Sequence, residues 1–358
     1  MQLVVLGMHR SGTSMLARVL ALMGCFAGPA EAFSPADEAN PKGYWERRDV
    51  WSVNEAILQG LDKSWYDVAG LDLDRLAEGT RSELAERARS IVCTLDAHRP
   101  WVIKDPRLCL LFPFWRPFLD RPVCVLIDRD PLAVARSLQA RDGFPLLFGI
   151  ALWERYTLQA LVSTMGLPRI AVSYHDLLAR PAATARRLRE SLSGLGVEGL
   201  HDPSEAELAA FVEPALEHHE RDDAALGGIL NAWQLDLHQG IASRAALAGE
   251  PPSPSPGAED LLTAYPKILA ECEELRTKII ADASEYLAER TTRLRCEQEI
   301  AVLAAEAEML REKLAADAVA YSAERTMRLR YEEEIRKLQA ENQALRATLA
   351  RASLGPGW

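Results

Sequence analysis

The chain is poor in several things that would narrow its class. Six cysteines (Cys25, Cys93, Cys109, Cys124, Cys272 and Cys296) are scattered over 358 residues. None stands in a CxxC or other metal-ligand spacing, and the scatter suggests no disulfide framework. Positive charge is in deficit, with 41 Lys and Arg against 52 Asp and Glu and a net charge of -11. That argues against a nucleic-acid binder, which needs a basic face, but leaves room for a small basic pocket. No apolar run approaches the ~18–20 residues of a transmembrane helix. Val4–Leu6, closely followed by Arg10, is too short for a signal-peptide core. A cytoplasmic protein without metal is therefore expected. Proline is nearly absent from Asp260 to Arg351, where Pro266 stands alone. One lysine is also missing. "VVLGMHRSGTSML" (Val4–Leu16) almost spells the P-loop G-x-x-x-x-G-K-[ST], with Gly7 and Gly12 at the right spacing. Thr13 occupies the lysine position, and Arg10 is the long cation of the loop.

What is present divides the chain near residue 250. A hydrophobic fraction of 48% allows a sizeable core. Before the division, short apolar runs alternate with helical stretches. "QLVVLG", Trp101–Asp105, Pro122–Arg129 and Arg169–Tyr174 read as strands. Gly12–Met23, Pro131–Arg141, Leu147–Met165 and Ala185–Gly196 read as helices. The alternation predicts an α/β domain with a mainly parallel sheet over residues 1–245. Ligands in such sheets bind at the carboxyl ends of the strands, where Gly7, Lys104, Arg129 and Tyr174 fall. "GEPPSPSPG" lies within a Pro/Ser-rich linker, 246–259, expected to be extended and exposed.

Residues 260–351 are rich in Ala, Glu, Arg and Leu and contain an internal repeat. Asp282–Leu314 aligns without gaps on Asp317–Leu349, with 19 of 33 positions identical. The offset is 35 residues, or five heptads. Cys296, Ile300, Leu303, Ala307, Leu310 and Leu314 alternate at spacings of four and three, and Tyr331, Ile335, Leu338, Asn342, Leu345 and Leu349 repeat the pattern. This is the a/d seam of a coiled coil. Arg293 and Arg328 weaken it between the apolar blocks. Self-association is the expected use of such a seam, and Asn342 at an a position points to a parallel dimer.

The opening loop joins a buried strand to a helix. Its backbone N–H groups and the helix N-terminus form an anion site. Gly7 and Gly12 permit close approach, Ser11, Thr13 and Ser14 add hydroxyls, and Arg10 adds a positive fork. ATP chemistry normally uses the absent lysine. A second constellation is "LIDRDPLAVARSL", in which Arg129 ends a strand and Ser137 follows eight residues later, inside a helix.

With these residues the chain resembles the sulfotransferases that use 3′-phosphoadenosine 5′-phosphosulfate (PAPS). Arg10-Ser11-Gly12-Thr13-Ser14 is similar to their 5′-phosphosulfate loop. Arg129 with Ser137 is similar to their 3′-phosphate motif, and "VSYHDLLARP" to a later segment whose tyrosine, here Tyr174, lies near the adenine. The resemblance covers about residues 1–200. It implies a P-loop-like three-layer fold and metal-free sulfuryl transfer to an acceptor hydroxyl, with a glycan or glycolipid as the acceptor class. It also implies Arg10 on the leaving phosphate, Lys104 on the sulfuryl oxygens, and Glu46, in "NPKGYWERRD", as the base. Arg107 is a further candidate contact. The histidine base of many cytosolic members has no counterpart in "IKDPR", which leaves Asp105 as a second candidate. A glycan acceptor would put the enzyme at the periphery of a glycan-assembly complex. A P-loop kinase or NTPase, and a non-catalytic coiled-coil scaffold, are the alternatives.

Overall fold

The computed structural model describes residues 1–33, 43–212 and 228–352. Four strands form one sheet: β1 (Gln2–Leu6), β2 (Trp101–Lys104), β3 (Pro122–Asp128) and β4 (Arg169–Ser173), in the order β2-β1-β3-β4. Every pairing is parallel, with Val4 opposite both Ile103 and Cys124. A parallel sheet is covered on both faces, so its strands are apolar throughout rather than alternating. Here Val4, Leu6, Ile103, Cys124 and Leu126 enter one core and Leu3, Val5, Val102, Val125 and Ile127 the other.

Helices close both faces. On the second face lie α1 (Thr13–Leu22), α7 (Tyr174–Ala179), α8 (Pro181–Gly194) and α9 (Glu205–Phe211). On the first lie α2 (Arg48–Gly60), α3 (Glu78–Asp96), α4 (Leu108–Trp115), α5 (Pro131–Asp142), α6 (Leu146–Ser163) and α10 (Ala232–Ala242). This is the expected three-layer α/β arrangement. Boundaries follow local chemistry. α5 starts where Asp130 accepts a bond from the Ala133 amide at 2.8 Å and Pro131 fits the first turn, and it stops at Gly143 with φ 72°. α8 begins at Pro181, earlier than the expected Ala185, because proline at the first helical position costs no backbone bond.

The proline-rich segment is largely exposed, with Ser253, Pro254, Pro256 and Gly257 open to solvent, but it is anchored at one residue. After a short α11 (Ala245–Ala248), Ser255 is buried, and its amide and hydroxyl both donate to the Glu154 carboxylate. Gln234 donates to the same carboxylate at 2.8 Å. A carboxylate buried inside α6 needs such donors, and they tie the segment to the sheet domain. The final helix, α12, spans Ala258–Ala352. Its first turns pack into the first core through Ala258 and Leu262, and Tyr265 stacks on Phe148 at 4.4 Å. The chain divides into two compact units, Met1–Glu271 and Cys272–Trp358. In the second unit, seam residues such as Ile300, Leu303 and Leu310 are exposed. Among the described residues no helix is long and apolar enough to cross a membrane.

Candidate functional site

All four strands run in one direction, so the loop after β1, Lys104, Arg129 and Tyr174 gather along one edge of the sheet. The loop after β1 turns sharply. The Gly7 amide donates to the Cys109 sulfur at 3.1 Å, and the Ser11 amide to the Met8 carbonyl at 3.1 Å. Arg10 has φ 68° and Gly12 φ 89°, both left-handed. No side chain caps α1 at Gly12, which leaves the helix N-terminus as a patch of positive potential. Gly12 is obligatory for a second reason: a Cβ there would lie 2.2 Å from the Tyr174 ring.

The two distant basic motifs meet. Arg10 Nε donates to Ser137 Oγ at 2.9 Å, and Arg129 donates to the Arg10 carbonyl. The Arg129 guanidinium lies 4.2 Å over the Tyr174 ring, a cation–π contact. Burial, followed by the fields of Arg141 and Arg129, lowers the Arg10 pKa from its ordinary value. Such crowding of like charges suits an anion. Arg141 is the member of this group that sequence reading missed. Its signal was available, since it follows Ser137 by four residues on α5 and so shares its face.

A second cluster lies beside the first. Lys104 Nζ donates to Glu46 Oε1 at 2.6 Å, to the Tyr44 carbonyl at 2.8 Å and to Ser14 Oγ at 3.2 Å. Ser14 Oγ in turn donates to the Tyr44 carbonyl at 2.8 Å. Lys104 thus joins the loop to the chain around Glu46; residues 40–42 of that segment lie outside the described residues. Glu46 is buried, and burial raises its pKa against the opposing field of Lys104. Arg107, read as a candidate contact, and Asp105, read as a second candidate base, pair with each other at 3.1 Å, and Arg107 also holds Glu55. Asp105 Oδ2 is buried without a hydrogen-bond partner. Trp45 is half-buried and lines a cavity of about 520 Å3 with Arg18, Phe26 and Phe33 among others.

His9 lies under the loop, its ring 4.5 Å from that of Trp65 and 5.8 Å from that of Tyr156. Burial, and then the cations Arg107, Arg141, Lys104 and Arg10, push its pKa well below 6.5. The folded protein therefore keeps His9 neutral at a pH where the unfolded chain protonates it. Stability from this group is full above about pH 6.5 and is lost as pH falls below it, by up to ~1.4 kcal/mol per unit. Thermal melts of wild type and His9→Phe between pH 7.5 and 5 should show the wild type losing more stability on acidification. Equal losses in both would show that His9 does not set this dependence.

Several solved structures are similar to the chain. The sulfotransferase domain from the curacin biosynthetic pathway is 18% identical, covering 68% of this chain and 96% of that chain, with a TM-score of 0.36. The sulfotransferase domain of the Synechococcus PCC 7002 olefin synthase is 17% identical, covering 74% and 93%, with a TM-score of 0.35. A sulfotransferase from Mycobacterium avium is 16% identical, covering 71% and 78%, with a TM-score of 0.36. No curated protein matches the chain. The family model described as "Sulfotransferase family" matches residues 2–198, more than half of the chain and all of the sheet that carries the loop, Arg129 and Tyr174, so the chain belongs to the sulfotransferase family.

Proposed function

We infer that the protein transfers a sulfuryl group from PAPS to a hydroxyl of an acceptor of the glycan or glycolipid class. The observation that carries this is the meeting of Arg10, Ser137 and Arg129 at the end of the β1 loop. Two basic motifs over a hundred residues apart make adjoining anion sites, which fit a nucleotide phosphorylated at two separate positions. A triphosphate with magnesium is a poorer fit, because Thr13 stands where a P-loop kinase keeps its lysine.

When bound, PAPS supplies the sulfuryl group on a phosphate that departs with negative charge. Arg10 and the N–H groups at the start of α1, with the hydroxyls of Ser11, Thr13 and Ser14, are set to hold that phosphate and stabilise its charge. Arg129 and Ser137 hold the 3′-phosphate, and Tyr174 borders the nucleoside. Lys104 sits between Ser14 and Glu46, where it can reach sulfuryl oxygens. Glu46 accepts the acceptor proton, a role that its raised pKa favours. The tail is proposed to bring copies of the enzyme together through its exposed seam.

A thermal-shift assay tests the donor. Adenosine 3′,5′-bisphosphate should raise the melting temperature at concentrations where ATP with magnesium does not, and Arg129→Ala should lose most of that shift. Stabilisation by ATP with magnesium alone would favour a kinase. No response to either would favour a scaffold.

A further inference from the structure

We propose that the tail from Cys272 onward pairs with a second copy of itself as a parallel, two-stranded coil with no offset. This rests on the self-association stated above and on the parallel pairing that Asn342 points to, and adds the alignment of the two chains.

The heptad register defined by Cys296–Leu314 runs unbroken from Cys272 to Asn342. Ile279, Ile300 and Ile335 fall at a, and Leu275, Leu303, Leu310 and Leu338 at d. Isoleucine at a with leucine at d is the combination that favours two parallel strands. These side chains are between 53% and 66% exposed, so among the described residues this part of the seam is left uncovered.

The flanks agree. In a parallel pair each g residue faces the e residue five positions further along the other helix. Glu285 then meets Arg290, Glu306 meets Arg311, and Glu341 meets Arg346. Between Cys272 and Arg346 no g and e positions so matched carry like charges.

The charged seam positions are the obstacle to this pairing, because with no offset each of them faces the same charge on the second copy; four of the six have an opposite charge beside them. Arg293 at a bonds Glu297 on its own helix at 3.0 Å, and Arg328 approaches Glu332 at 3.4 Å, so both turn out of the seam. Glu289 and Glu324 at d are each followed by an arginine at e, Arg290 or Arg325, the position that flanks d across a parallel seam. Asp282 and Asp317 stay as costs that divide the seam into apolar blocks.

Other alignments do worse at Asn342. An antiparallel pair centred between Glu308 and Met309 matches four seam charges, Arg293 with Glu324 and Glu289 with Arg328, but leaves Asn342 without a polar partner. It sets Asn342 against Leu275 and puts both aspartates against isoleucines, Ile335 and Ile300. A parallel pair slipped by the 35-residue repeat matches only one repeat and sets Asn342 against Ala307. With no offset Asn342 faces its own copy, amide to amide, and both repeats are used.

Cys296 at d reports the alignment. With no offset it faces Cys296 of the second copy; after the slip it faces Tyr331, and in the antiparallel pair Tyr321. The full chain carrying Cys93→Ser and Cys272→Ser keeps Cys296 as its exposed cysteine, because Cys25, Cys109 and Cys124 are buried. Light scattering on the reduced protein should give a dimer. Oxidation with copper phenanthroline should then link most chains through Cys296, at least tenfold more than in a Cys296→Ser control. A dimer that does not link through Cys296 would overturn the alignment and leave self-association standing. A monomer at micromolar concentration would overturn self-association itself, and a trimer or tetramer would overturn the two-stranded coil.

Discussion

Arg10→Gly is expected to reduce kcat for sulfuryl transfer by ~10²–10³-fold or more without lowering the melting temperature. The two halves have separate causes. Arg10 is the cation inside the loop, linked to Ser137 and crowded by Arg129 and Arg141. Removing one group that stabilises developing charge costs about 10²–10³ in rate. The backbone at Arg10 is left-handed, with φ 68°, which costs a non-glycine residue ~1–2 kcal/mol. Glycine relieves that strain, and loss of the crowded charge relieves repulsion, against the greater entropy of glycine in the unfolded chain. Arg10→Ala removes the charge but keeps the strain. It should be as inactive as Arg10→Gly and less stable. Full activity in either variant would show that the loop does not hold the departing phosphate.

The second large effect concerns Glu46. Glu46→Gln should lower kcat by ~10²–10⁴-fold, the usual contribution of a positioned general base. Stability should fall far less, because the glutamine oxygen still accepts from Lys104, which also keeps Ser14 and the Tyr44 carbonyl. The readout that separates catalysis from structure is the pH profile. Burial raises the pKa of Glu46, so wild-type kcat/KM should climb as pH rises through that raised value. In Glu46→Gln the residual activity should lack this limb. A profile unchanged in shape would assign Glu46 a structural role and return attention to Asp105. Lys104→Met takes the pair apart from the other side. It leaves a buried carboxylate without its partner and should cost ~3–5 kcal/mol. The stability linkage of Glu46 is opposite to that of His9. Above pH 4.5 the folded protein holds a proton that the unfolded chain releases, so the contribution of Glu46 falls as pH rises through the window up to its raised value.

Much of the site could be read before any fold was known, because its chemistry is local. The strand–loop–helix signal at Val4–Leu16 needs only an apolar run, two glycines at fixed spacing and a cation between them. The eight-residue spacing of Arg129 and Ser137 spans only one strand end and two turns of helix. The site residues that escaped the sequence reading are joined through space. The field of Arg141 reaches Arg10 and His9 although they lie over 130 positions away in the chain. Cys109 meets the Gly7 amide across 102 positions. The ion pair of Arg107 with Glu55 joins it to a helix that the reading did not resolve.

By itself, the sequence determined the strand–helix alternation, the parallel sheet, the edge where the functional residues gather and the heptad of the tail. Each is written in periodicity and spacing over a few turns of chain. Tertiary structure alone decided that Arg10 and Ser137 would touch and that Glu46 would be buried against Lys104. It also decided that Ser255, inside a proline-rich segment expected to be exposed, would be drawn in by the carboxylate of Glu154. Burial and pairing of polar groups depend on which distant donors arrive at the same place, and no local pattern encodes that.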